Sequence, residues 1–354
     1  MMYIEFKNVN KSYGDYKASD NVSFSLPADS LSALLGPSGS GKTTILRILA
    51  GLENPDSGDI FIDGKRVNDI EPAKREIGFV FQNYALFRYM TVFENIAFGM
   101  QIKKMPRDKI NTRVKELIEL IGLKDLDNRY PMQLSGGQRQ RVAFARAIAP
   151  EPKVLLLDEP FAAIDAKIRQ ELRQWLKTTI KKLHITSIFV THDQDEAGEV
   201  ADEILVVNKG RVEQSGSPLK VYNKPLTPFV AQFIGENSLV NNYGQFKGFR
   251  YNDDFPAAIV RPEFISLLRP NEYRQNAYSV ENGIIKNIIF RGAHLDVAVD
   301  VNGTQFKTVW PVDKGILKMQ EMVQVLIRKM YLINDNNIIE YENESITADN
   351  SVVI

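Results

Sequence analysis

Cysteine is absent from the chain, which excludes disulfides, thiolate metal sites and thiol redox chemistry, and fits a reducing compartment. Net charge is absent too. Lys plus Arg and Asp plus Glu balance at 44 each, so bulk electrostatics point to neither a nucleic acid nor a lipid surface as partner. No run approaches the ~18 apolar residues of a membrane span. The start, MMYIEFKNVNKSYG, has neither the basic residues nor the apolar stretch of a secretory signal. If membranes matter to this protein, another chain must cross them. Histidine is scarce, with only three, so each one invites a question.

What is present is enough apolar sequence for a sizeable core, 44% of 354 residues, in a length that suggests one large domain and a smaller one. The character of the sequence changes near residue 235. Before it, short apolar runs such as SALLG (32–36), VLLLD (154–158) and SIFVT (187–191) alternate with helical patterns, as buried strands of a mainly parallel sheet do. A helix is expected from Pro106 to Ile121, with Ile110, Val114, Leu117, Ile118 and Ile121 on one face and Gly122 as terminator. Another should follow Asp165, carrying the apolar stripe Ile168, Leu172, Trp175, Leu176, Ile180 and Leu183. After Gly235 the period falls towards two. HLDVAVDV (294–301), then Asn302-Gly303, then TQFKTVW reads as a hairpin with a two-residue turn, and similar short runs suggest a small antiparallel barrel or sandwich.

GPSGSGKTT, Gly36 to Thr44, follows an apolar strand and precedes a helical run, the context that the phosphate-binding pattern GxxxxGK plus Ser or Thr requires. Gly36, Pro37, Ser38, Gly39, Ser40 and Gly41 bring backbone amides to phosphate oxygens, and the following helix turns its positive end to the charge. Lys42 should reach the terminal phosphates, with Thr43 as a Mg²⁺ ligand and Thr44 beside it. The chain is therefore expected to bind a nucleoside triphosphate. VLLLDEP (154–160) delivers two carboxylates to a strand end. Asp158 suits Mg²⁺, and Glu159, one residue farther out, suits the orientation or deprotonation of an attacking water.

LSGGQRQR (134–141) is left unexplained by one phosphate loop. A hydroxyl and two glycines at a helix start make a second anion site, with little side chain in the way. With these motifs in this order, the chain resembles the ATP-binding subunits of ABC transporters, whose signature LSGGQ stands intact at Leu134 to Gln138. The resemblance covers about the first 235 residues. It implies an α/β phosphate-loop NTPase fold, with a mainly parallel sheet and a helical subdomain at about 86–150. Ser135, Gly136, Gly137 and Gln138 would close over ATP held by the opposite copy, which makes the working unit a homodimer. Tyr13 matches the aromatic that stacks on adenine, although a plain strand aromatic also fits. Gln82 matches the glutamine linking Mg²⁺, attacking water and membrane subunits. Asp165 matches the aspartate of the loop crossing the dimer interface, and His192 the histidine that contacts the γ-phosphate. Ala162, Ala163 and Ile164 depart from the family's usual residues without removing a reacting group.

The same resemblance implies a peripheral subunit on the cytoplasmic face of the membrane, hydrolysing ATP to drive import through two integral-membrane permease subunits. An extracytoplasmic solute-binding protein would act with them. QNYALFRYMTVFENIAFGM (82–100), with Tyr84 and Phe87, would grip those permeases. Arg139, Arg141 and Arg146 read as charges on a helix face rather than as a nucleic-acid stripe. Residues 236–354, with VRPEFISL at 260–267, resemble the small all-β OB-like regulatory domains of importer ATPases. ALFRYMTVFENIAFG, ELRQWL and TSIFVTHDQDEAGEVADEILVV are most similar to sulfate/thiosulfate importer ATPases. Molybdate, polyamines, iron(III) and sugars stay open as solutes. A non-transport ABC ATPase acting on ribosomes or DNA, and a phosphate-loop kinase or GTPase, are weaker readings. The first lacks its second cassette or coiled-coil insertion, and the second leaves LSGGQ, Glu159 and His192 idle.

Overall fold

The computed structural model describes residues 2–162, 166–269 and 279–349. The chain divides into two compact units, Met1–Lys220 and Val221–Ile354. The division falls before the expected 235, because residues 221–235 are tied to the second unit. The Tyr222 ring lies on the Arg261 guanidinium at 4.0 Å, and the Tyr331 hydroxyl donates to the Asn223 carbonyl at 3.0 Å.

In the first unit a six-stranded sheet runs in the order Arg211–Gly216, Glu203–Asn208, Leu31–Leu35, Thr186–Thr191, Val154–Asp158, Ile77–Val80. All neighbours are parallel except the first pair. Every residue of Leu31–Leu35, Val154–Asp158 and Thr186–Thr191 is buried, which is why these strands read as unbroken apolar runs rather than alternating ones. Their register aligns Leu35 with Thr191, Asp158 with Val190 and Val80 with Leu157. The carboxyl ends of four strands thus share one edge, the place where open α/β sheets bind ligands.

A second, antiparallel sheet was not anticipated from the sequence. It is ordered Tyr16–Pro27, Met2–Tyr13, Ser57–Ile62, Lys65–Arg66. Its apolar face and that of the parallel sheet meet in one core around the helix Lys42–Ala50, through Ile4, Phe6, Val22, Ile45, Ile48, Leu49, Leu156 and Val190.

The helical part comprises Val92–Ile102, Arg107–Leu120 and Gly136–Ile148. The expected helix at 106–121 is there, with Pro106 and Ile121 as its caps and Gly122 at φ +68° just beyond. Ala166–Leu183 carries the second expected stripe, buried at Leu172, Leu176 and Ile180. One member differs. Ile168 is 39% exposed and leans towards Gly137, whose added Cβ would stand 3.2 Å from its methyl. The first turn of the helix thus lies at the rim, not in the core.

The second unit holds two antiparallel sheets around one apolar core, an OB-like arrangement. The hairpin His294–Val301 with Thr304–Pro311 pairs residue for residue, and Asn302 and Gly303 take the positive φ angles that its two-residue turn demands.

Candidate active site

The phosphate loop is shaped by what its glycines avoid. A Cβ on Gly36 would stand 2.1 Å from the Val207 carbonyl oxygen, and one on Gly41 2.0 Å from that of Ala18. Gly41 also lies at φ +99°, a backbone conformation closed to other residues. The loop is therefore seated against two neighbouring strands, and its helix Lys42–Ala50 starts at the sheet edge. The buried Lys42 ammonium donates to the carbonyls of Gly36 (2.9 Å) and Pro37 (2.8 Å) and to Ser40 Oγ (3.3 Å). Burial pushes its pKa below the usual lysine range, while Glu159 and Asp158 pull the other way. An anionic phosphate against the ammonium would favour its charged form.

Thr43 Oγ1 donates to Asp158 Oδ1 at 3.0 Å. The two oxygens expected to bind one cation are thus neighbours, although 115 residues apart in sequence. Asp158 is 6% exposed, and its pKa is raised chiefly by that burial, against the pull of Thr43, Arg47 and Lys42. A buried carboxylate beside a hydroxyl fits a hard, oxygen-seeking cation such as Mg²⁺. Among the described residues no group of three or more His, Cys, Asp or Glu side chains is placed to hold a metal ion by itself.

Glu159 stands at the centre of a trio. Its Oε2 accepts from Gln82 Nε2 at 2.7 Å, and its Oε1 lies 3.6 Å from His192 Nδ1. Its backbone is at φ +45° immediately before Pro160, a disfavoured conformation that aims the carboxylate off the strand end. The three catalytic candidates, from three different strand ends, meet around one point.

Tyr13 is 47% exposed, and its hydroxyl is pushed above the usual tyrosine range by partial burial and then by Glu53. Its cross-strand partner Tyr16, missed in the sequence, donates its hydroxyl to the Gly39 carbonyl of the phosphate loop. Only its place across the Gly14-Asp15 turn could have hinted at this. Ser38 and Thr44 lie within the loop and the helix start. Asp165, with Ala163 and Ile164, lies outside the described residues.

The signature forms the start of the helix Gly136–Ile148. Ser135 Oγ accepts the Gln138 amide (3.3 Å), and Gln138 Oε1 accepts the Ser135 amide (2.9 Å). This reciprocal cap holds the glycines at the front of the helix, where the first amides face outward.

Its arginines are tethers rather than free face charges. Arg139 donates to the Leu134 carbonyl, Arg141 to that of Ile121, and Arg146 to those of Tyr84 and Ala85. The following loop is stapled by Asn95, which sequence reading passed over. Fully buried, it accepts the Phe87 amide and donates to the carbonyls of Phe87, Met90 and Thr91. Phe87 packs on Phe98 at 4.4 Å, and Tyr84 is half-buried. Tyr89, 95% exposed, is the aromatic that this loop offers outward.

The family model described as ABC transporter matches residues 19–162. The chain is 50% identical over 306 residues to the sulfate/thiosulfate import ATP-binding protein CysA of Thermosynechococcus vestitus, covering 86% of this chain and 89% of that protein. It is 45% identical over 353 residues to CysA of Acinetobacter baylyi, covering 95% and 99%. Among solved structures it resembles a dimeric ATP-binding cassette in a post-hydrolysis state bound to ADP and Pi. That match has 34% identity and a TM-score of 0.55 over 61% of this chain and 98% of the other.

Proposed function

This chain belongs to the ABC transporter ATP-binding proteins, and from that premise we propose that it hydrolyses ATP to power sulfate or thiosulfate import through separate membrane subunits. The observation that carries the hydrolytic part is the meeting of Gln82, Glu159 and His192 beside the bonded pair Thr43 and Asp158. The phosphate loop binds the triphosphate through its amides and Lys42. Thr43 and Asp158 would hold Mg²⁺, which when bound would neutralise phosphate charge. Gln82 keeps the Glu159 carboxylate in place, and Glu159 orients the attacking water and takes up its proton. His192 lies 3.6 Å from the other carboxylate oxygen, and by the role its family position carries it would contact the terminal phosphate. Positioning and electrostatics do most of the work in such a transfer.

Ser135, Gly136, Gly137 and Gln138 complete the site from a second copy of the chain. A helix start with bare glycines has the donors and the clearance to lie against a γ-phosphate. ATP then joins two copies, and its cleavage lets them part. No helix among the described residues is long and apolar enough to cross a membrane; the import role of the named relatives is what supports separate permease subunits as the pathway. The loop bearing Tyr84, Phe87 and Tyr89 is the surface that meets them, two residues beyond Gln82. The work thus takes place at the cytoplasmic membrane face, and Val221–Ile354 serves as a regulatory domain.

The solute is read from the named relatives, since transported molecules do not reach this chain. The test is ATP hydrolysis by the chain assembled with its two permeases in liposomes, with candidate binding proteins presented in turn. Stimulation by a sulfate-loaded binding protein supports the reading. Stimulation only by a molybdate-, polyamine-, iron- or sugar-loaded one moves the solute and leaves the ATPase standing.

A further inference from the structure

One cluster of ionisable groups lies outside the site just described, although it touches the same strand end. Glu196 is 6% exposed, and its Oε2 accepts from Thr191 Oγ1 at 2.5 Å. Its Oε1 accepts from Arg173 Nη2 at 3.3 Å. Arg173 comes from the helix Ala166–Leu183 and also reaches Asp193 (3.6 Å) and Glu199 (3.2 Å). The Thr191 hydroxyl, 1% exposed, accepts the Asp193 amide at 3.0 Å. Asp193 in turn accepts the amides of Asp195 (2.8 Å) and Glu196 (3.1 Å).

His192 is therefore flanked on both sides by residues bound into one network, while its own side chain is 65% exposed. Among the described residues, the one polar approach to the imidazole is that of Glu159 at 3.6 Å. Its placement must come from the backbone of Thr191 and Asp193. Burying a carboxylate is unfavourable unless its oxygens are bonded, and here each Glu196 oxygen has a partner that leads back to His192 or to the helix Ala166–Leu183. Burial pushes the Glu196 pKa up, with Asp193 adding to that and Thr191 and Arg173 opposing it.

We propose that Glu196 is a positioning residue for His192, acting through the Thr191 hydroxyl and the Asp193 amide, with Arg173 locking the arrangement to the helix Ala166–Leu183. The proposal rests on the role given to His192 above. Misplacing a catalytic group by about 1 Å can lower a rate by ~10²-fold, and loosening one of its supports lowers it by on the order of 10-fold.

The test is single-turnover ATP hydrolysis, with nucleotide affinity measured separately, in the full-length protein. Thr191→Val removes the hydroxyl at nearly constant volume, Thr191→Ser restores it, and Glu196→Ala removes the carboxylate. Melting temperatures confirm that each variant folds. Thr191→Val and Glu196→Ala should each slow hydrolysis by roughly 10-fold and leave ATP affinity within about twofold, whereas Thr191→Ser, which keeps the hydroxyl, should hydrolyse at the parent rate. Placed in a His192→Ala background, Glu196→Ala should slow it no further, because residues acting as one unit are not additive. A folded Thr191→Val with the normal rate overturns the proposal, as does a Glu196→Ala effect that persists undiminished without His192. A His192→Ala variant that hydrolyses ATP normally would instead remove the role of His192 itself, and this inference with it.

Discussion

Replacing Glu159 by Gln separates chemistry from binding at this site. The amide has the shape of the carboxylate, so its oxygen can still accept from Gln82 Nε2, now at 2.7 Å from Oε2, and its NH₂ can face His192 Nδ1. The backbone at φ +45° is no more disfavoured for Gln than for Glu. What disappears is the proton acceptor. Loss of a general base lowers a rate by ~10²- to 10⁴-fold, about 3–5 kcal/mol of barrier. Binding should hold or tighten, because Glu159 is one of two anions beside Lys42, and its removal eases the approach of a triphosphate. Single-turnover hydrolysis with protein in excess gives the rate, ATP titration gives the affinity, and elution volume in ATP gives the assembly, expected to be a persistent dimer. A rate within threefold of the parent would refute Glu159 as the base, and a matching collapse of affinity would show that the carboxylate works in binding.

Three further outcomes follow from the same geometry. Gly41→Ala places a Cβ 2.0 Å from the Ala18 carbonyl oxygen at φ +99°. It should cost at least about 2 kcal/mol, or roughly 4–8 °C in melting temperature, together with loss of ATP binding; a normal melting curve would contradict the close seating of the loop. Asp158, its pKa raised by burial, binds its proton more tightly folded than unfolded. Its contribution to stability in metal-free buffer therefore falls as pH rises from the ordinary carboxylate range, about 4, through the raised value, and levels off above. Thermal scans in EDTA should show Asp158→Asn gaining on the parent as pH rises, while Mg²⁺ with ATP stabilises only the parent. Asn95→Ala removes four hydrogen bonds to the backbone of the 87–91 loop, a loss of about 2–4 kcal/mol. Limited proteolysis should then cut at Phe87 to Tyr89, where the parent resists.

Legibility from sequence depended on how local the physics was. The phosphate loop, the helix from Arg107 to Leu120 and the hairpin turn at Asn302-Gly303 could be read because their residue types are demanded by the backbone within a few positions. Tyr16 and Asn95 were missed because a strand tyrosine and a helical asparagine carry no local mark. Each acts on carbonyls or amides brought near by other elements. The arginines of the signature helix were seen, but their acceptors were not, since those carbonyls lie as far away as Tyr84. Ile168 was placed in the core because periodicity shows a helix's face and not how far the core extends along it.

The amino-acid order alone determined which groups are available: the bare glycines, the lysine, the paired carboxylates at a strand end and the capped signature. It did so because those features answer to steric and hydrogen-bonding demands of short segments. Only the tertiary structure decided that Gln82 meets Glu159 across 77 residues, that Thr43 meets Asp158, and that a buried glutamate stands behind His192. The first two meetings come from the register of parallel strands, which depends on packing summed over the whole sheet and leaves no trace in any one stretch of chain; the third joins residues only five apart, and there the fold supplied the burial and the Arg173 partner.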